Sequence, residues 1–164
     1  MATYIIAITF RGYNYFLIQL IEPNPWQIKW YCDFDGGAGK STFCRYMQIH
    51  HPTSTFVVQN GKTNDITHAW QGERVVLWDV PRDSGDKINF GAMEAMKNGQ
   101  CFSGKYQSVQ KIFNIPHLVV FANCVPPSDP RRGLSRGRII PFLLSPPDTV
   151  PQSERLICLE FGFL

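Results

Sequence analysis

Three stretches of this chain place apolar residues on consecutive positions. They run through Trp30-Tyr31-Cys32 within the apolar-rich segment Ile28–Phe34, through Val75-Val76-Leu77-Trp78, and through Leu118-Val119-Val120-Phe121-Ala122. A strand with one wet face alternates apolar with polar residues, so an unbroken run needs both faces covered. The spacing predicts strands over 26–34, 55–59, 74–79 and 117–123. Helices are expected between them. One spans 41–49 and is closed by His51-Pro52, one spans 64–70 before the turn Gln71-Gly72, and one spans 90–97 and is stopped by Asn98-Gly99. Residues 101–113 read as a hairpin about Gly104-Lys105. Strands alternating with helices form a parallel sheet between helical layers, an α/β fold.

Earlier and later segments are less regular. Residues 1–24 are aromatic and apolar, with runs at 4–10 and 15–21 broken by Arg11-Gly12, and they end at the breaker Glu22-Pro23-Asn24-Pro25. Residues 125–151 hold seven prolines and little periodicity, so a loop or tail is expected there. The division is an N-terminal segment 1–24, a core 25–140 and a Pro-rich tail 141–164.

The candidate chemistry lies in the turn after the first interior strand, Gly36-Gly37-Ala38-Gly39-Lys40-Ser41-Thr42. A glycine-rich turn between strand and helix lets backbone N–H groups close on a triphosphate. Lysine reaches the terminal phosphates, and the next hydroxyl takes a magnesium position. The helix that follows aims its positive dipole end at the same anion. The pattern G-x-x-x-x-G-K-[ST] asks for glycine six residues before the lysine, and that position is Phe34. With ATP and Mg²⁺ as the implied ligands, the fold is expected to be a P-loop NTPase-type three-layer sandwich carrying a β-hairpin insertion. Ser41 is the metal-side hydroxyl, while Thr42 caps or packs the helix start.

Asp79 ends a buried strand, where a carboxylate holds magnesium across the sheet. The next position, where a second acid would serve as general base, is Val80; Asp83 and Glu94 are both open as stand-ins. Asn123 ends the last interior strand, placed either to sense a terminal phosphate or to satisfy its own loop backbone. The phosphate reading fails if Asp79 lies far from the loop, or if the loop's amides are committed to other protein groups.

Composition adds bounds. With 164 residues, 44% hydrophobic and 18% charged, the chain suits one globular domain, and a net charge of +3 permits a nucleic-acid partner without requiring one. Arg131, Arg132, Arg136 and Arg138 cluster late, and Lys97, Lys105 and Lys111 flank one segment. Cys32, Cys44, Cys101, Cys124 and Cys158 lack C-x-x-C spacing, so reduced thiols are expected, with no zinc site or disulfide framework. The early apolar runs are too short to cross a bilayer and no leader pattern precedes them, so an intracellular protein with no membrane partner is expected.

The ordered blocks WYCDFDGGAGKSTFCRY, GERVVLWDVPR, NFGAMEAMKNGQCFSGKYQSV, FNIPHLVVFAN and LSRGR resemble the helicase half of replication-associated proteins of small circular single-stranded DNA viruses. Nanovirus and alphasatellite proteins look nearest. These are superfamily 3 helicases, ring-forming ATPases of rolling-circle replication, and the resemblance covers about residues 15–138. It implies that Gly36, Gly37, Gly39, Lys40 and Ser41 form the phosphate loop and that Asp79 is the magnesium-associated acid. It further implies that Asn123 is a sensor and that Arg138 touches a neighbouring subunit's nucleotide. Residues 97–109 match the DNA-contacting hairpin, with Lys105 meeting backbone and Tyr106 a base. The implied partners are single-stranded or duplex DNA and a homo-oligomeric ring, in a host nucleus if the source is viral.

The departures are specific. No His-hydrophobic-His metal motif or nucleophilic Tyr with a nearby Lys is found, so DNA nicking is not expected, and the chain reads as a helicase core without its endonuclease domain. Gly137 stands where Asp is expected, residues 1–14 do not match, and the likeness stops at Ile139. An alternative is a degenerate module that binds nucleotide or DNA without turnover. A small-molecule kinase on the same loop is a third reading.

Overall fold

The consecutive apolar runs form the middle of a five-stranded sheet whose described pairings are all parallel. The computed structural model describes residues 4–9, 15–20, 23–103, 109–127, 134–144, 148, 150–153 and 158. Two early strands, β1 (Tyr4–Thr9) and β2 (Tyr15–Leu20), pair antiparallel as a separate hairpin, which the broken apolar runs had not specified. The main unit then runs β3 (Ile28–Cys32), α1 (Lys40–His50), β4 (Thr55–Val58), α2 (Thr63–Ala69), β5 (Val75–Asp79) and α3 (Phe90–Lys97). It continues with β6 (Gln100–Ser103), β7 (Val109–Ile112), β8 (His117–Ala122) and β9 (Ile139–Leu143). Short 3₁₀ turns occupy Arg82–Lys87 and Arg136–Arg138.

The strand order is β4-β5-β8-β3-β9. A right-handed crossover places its helix on one face when the chain moves one way across a sheet, and on the other face when it returns. The chain moves outward from β3 to β4 through α1, then back to β5 and β8 through α2 and α3. The two cores follow this division. Tyr31, Val75, Leu77, Val119 and Phe121 pack with Phe43, Cys44 and Met47 of α1. Trp30, Val76, Trp78, Leu118 and Val120 pack with Ile66 of α2 and Met93 and Met96 of α3. Odd and even positions of each strand thus serve opposite faces, which accounts for the unbroken apolar runs.

β9 corrects the expectation of a loop across 125–151, and it carries the sheet past residue 140, where the sequence reading ended the core. It lies at the sheet edge beside β3, with Pro141 opposite Trp30. Proline has no N–H to give a ladder and is tolerated on an edge strand, so the residue that argued against a strand is at home here. Tyr31 of β3 stacks on Phe142 of β9 at 4.5 Å between ring centroids.

Two of the flanking lysines turn out to be structural. Lys97 is 3% exposed and donates to the carbonyls of Asn24 (2.8 Å) and Pro116 (3.1 Å). Burial, helped by Arg138 and Lys29, lowers its pKa to about 8. Lys111 donates to the carbonyls of Thr67, His68 and Trp70, closing the C-terminal end of α2 as a basic side chain there commonly does. β6 and β7 pair antiparallel from Gln100↔Ile112 to Ser103↔Val109, matching the expected hairpin. No described helix is long and apolar enough to cross a membrane.

Candidate functional site

Parallel strands end together, and the carboxyl edge of such a sheet is where α/β folds place ligands. A cleft of about 470 Å³ opens at that edge. β3 contributes the loop residues Gly36, Gly37 and Gly39, and α1 contributes Lys40, Ser41 and Thr42. Gln59 enters from behind β4, Asp79 to Arg82 from the end of β5, and Asn123 from the end of β8.

The loop's shape explains its glycines. Gly36 has φ of 78° and Gly39 has φ of 80°, both in the region that side chains other than glycine's seldom adopt. A Cβ on Gly36 would also fall 1.8 Å from the Arg82 guanidinium, which donates to the Asp35 carbonyl at 3.3 Å. Gly39 is the N-cap of α1. It supplies no side-chain cap, and the first turn holds no acidic residue. The first amides of a helix have no partner within the helix, so this turn presents unpaired N–H groups and a positive dipole end beside the cleft.

Asp33, which sequence reasoning passed over, changes the picture of the loop. It is 2% exposed at the junction of β3 and the turn. Its carboxylate accepts from the amides of Gly36 (3.0 Å) and Ala38 (3.2 Å) and from the Lys40 ammonium (2.7 Å). The Asp33 amide donates to the Ala122 carbonyl at 3.0 Å, and the Asn123 side-chain amide donates to the Asp33 carbonyl. Two loop amides and the lysine are therefore committed to a protein group, which meets one of the two conditions set above against a phosphate grip by this turn; the first-turn amides of α1 are not among the groups that Asp33 holds. Ala38 is correspondingly turned inward and does not line the cleft.

Asp79 meets its expected place at the end of β5, on the wall of the same cleft. Its charge reaches α1: burial raises the Cys44 thiol pKa, and the Asp79 carboxylate raises it further. Ser41 and Asp79 thus offer a hydroxyl and a carboxylate to one cavity, and such hard oxygen donors fit Mg²⁺. Arg82 supplies a positive charge there, Lys40 lines it with its ammonium paired to Asp33, and Gln59 adds a neutral amide.

Other predicted residues lie elsewhere. Arg138 is outside the cleft; its guanidinium pairs with Glu94 at 3.3 Å and lies over the Trp26 ring at 5.4 Å. Glu94, so engaged, and Asp83 are both absent from the cleft wall. Lys105 and Tyr106 lie outside the described residues. Arg82, which sequence reasoning left unused, opens the 3₁₀ turn shortly after the end of β5. Asp33 had only its position as the last residue before the turn.

The chain is homologous to replication proteins of plant viruses and their satellites. It is 38% identical over 102 residues to the "Master replication protein" of Subterranean clover stunt virus (strain F), a match covering 62% of this chain and 35% of that protein. It is 42% identical over 125 residues to "Para-Rep C1" of Faba bean necrotic yellows C1 alphasatellite, covering 74% and 42%. Against "Para-Rep C2" of Milk vetch dwarf C2 alphasatellite it is 41% identical over 141 residues, covering 75% and 48%. The matched region spans between a third and a half of each of these relatives. No family model matches the chain.

Proposed function

We propose that this chain is the ATP-driven motor portion of a viral DNA replication protein, hydrolysing MgATP to unwind DNA. One observation carries the reading: Lys40, the uncapped start of α1, Arg82 and Asp79 converge on one cleft at the carboxyl edge of a parallel sheet. Homology to proteins named for replication supports the biological setting.

In this reading the first-turn amides of α1 and the Lys40 ammonium hold the β- and γ-phosphates, with Gly36, Gly37 and Gly39 allowing close backbone approach. Arg82 adds a second cation opposite the loop. Ser41 and Asp79 hold magnesium, which neutralises charge on the phosphate oxygens when bound. Asn123, at the end of β8, stands where an amide can orient a water or register the terminal phosphate. Asp79 ends β5, and α3 follows along the chain and leads into the β6–β7 hairpin, the segment that carries Lys105 and Tyr106. Those residues contact the sugar-phosphate backbone and a base of single-stranded DNA. A ring of subunits lets Arg138 of one copy reach the nucleotide of the next, and the site of action is the host nucleus.

A second reading, a module that binds nucleotide without turnover, is favoured by one observation. Among the described residues lining the cleft, Asp79 is the one carboxylate, which leaves no separate base to orient an attacking water. Phosphate release with and without single-stranded DNA separates the two. The motor predicts magnesium-dependent release, stimulated several-fold by single-stranded DNA, from an oligomeric species. Saturable ATP binding with no release by that oligomer overturns the motor and leaves the binding module.

A further inference from the structure

We infer that the Asp33 carboxylate is a resident substitute for a phosphate, holding the loop's donors closed until a polyphosphate displaces it. The inference rests on the proposed nucleotide site and adds a regulatory step to it. Two backbone N–H groups and an ammonium converge on the two oxygens of this carboxylate, at 3.0, 3.2 and 2.7 Å. That is the donor set by which a glycine-rich loop grips a phosphate. An ammonium has three protons to share, but a backbone amide has one. The Gly36 and Ala38 amides cannot serve Asp33 and a ligand together. Asp33 is buried beneath the loop and does not line the cleft, whereas Gly36 and Lys40 do, so a carboxylate outside the cavity holds donors of two residues that line it.

The parts around Asp33 fit a latch. Its backbone is pinned to the sheet edge through the Ala122 carbonyl and the Asn123 amide, which leaves the side chain and the glycine loop as the elements able to separate. Arg82 closes the loop from the opposite side through the Asp35 carbonyl, in the space that Gly36 leaves free. A ligand that needs an open loop has its apparent affinity reduced by the fraction of molecules that are open. An open form populated at about 1–10% lowers affinity about ten- to a hundredfold. Asn123 donates to the Asp33 backbone carbonyl, so it belongs to the fixed side of the latch.

Calorimetric titration of wild type, Asp33→Asn and Lys40→Ala with MgATP and with inorganic pyrophosphate tests this. Asp33→Asn keeps the side chain's shape but gives up the charge that competes for Lys40. It is expected to bind both probes about tenfold or more tightly than wild type. Equal or weaker binding by folded Asp33→Asn, with wild type still binding in a Lys40-dependent way, overturns the latch and leaves the nucleotide site intact. Failure of both wild type and Asp33→Asn to bind either probe overturns the nucleotide site and the latch together. Circular dichroism establishes folding, and Asp33→Ser carries the same comparison if the Asn variant does not fold. In wild type, the Asp33 side-chain carboxyl resonance is expected to shift as pyrophosphate binds; a resonance that stays fixed through saturation overturns the latch.

Discussion

Two buried lysines sit at opposite edges of the same sheet and are satisfied in different ways. Lys97, 3% exposed, donates to two neutral carbonyls at the amino ends of β3 and β8. Lys40, 8% exposed, pairs with a carboxylate at the carboxyl edge. The carbonyls around Lys97 belong to the backbone and cannot leave, so burial dominates there and its pKa falls to about 8. The partner of Lys40 is an anion on a rotatable side chain, which another anion can replace. On the proposed reading, Lys40 differs from Lys97 less in burial than in whether its partner can be exchanged.

The amino edge is expected to govern stability and the carboxyl edge affinity, and the largest effect falls on His117. Burial, with Lys29, Arg74 and Lys97 nearby, depresses its pKa to about 4, and its Nε2 has no hydrogen-bond partner. The unfolded chain takes up this proton near pH 6.5, while the folded chain resists until about pH 4. Stability from this group is therefore complete above pH 6.5 and is lost as pH falls through that window, on the order of 3 kcal/mol across it. Chemical denaturation at pH 7, 5.5 and 4.5 measures the slope, and His117→Asn should flatten it. An unchanged slope in that variant would place the acid sensitivity elsewhere.

A smaller effect is expected for Lys97→Met, which fills similar volume but orphans two buried acceptors. It should cost about 2 kcal/mol, seen as a melting temperature lower by about 4–8 °C for a chain of this size. MgATP affinity should stay within twofold of wild type. A large affinity change in folded Lys97→Met would mean the two edges are coupled, and the contrast between the lysines would fail.

What could be read beforehand follows from the range of the forces involved. β3, β5 and β8 were legible because burial on two faces writes itself into consecutive apolar residues, and α3 because Asn98-Gly99 ends it. β9 was hidden by Pro141, whose acceptability depends on lying at an edge, a fact of tertiary arrangement. At the cleft, the shared placement of the glycines, Lys40 and Asp79 was legible because a strand–turn–helix unit and a following strand end bring them to one edge. Asp33 was not, because a motif specifies donors and says nothing of the acceptor they hold meanwhile. Lys97 looked like part of a basic flank because charge is visible in sequence and enclosure by carbonyls 19 and 73 residues away is not.

The most direct test of the central claim is equilibrium binding of MgATP to wild type and to folded Lys40→Ala. Wild type should show saturable, magnesium-dependent binding, weakened in the variant by about a hundredfold, as expected when a charge is removed from a desolvated anion contact. Equal affinity in the two proteins, or no binding by wild type at millimolar MgATP, would contradict the account.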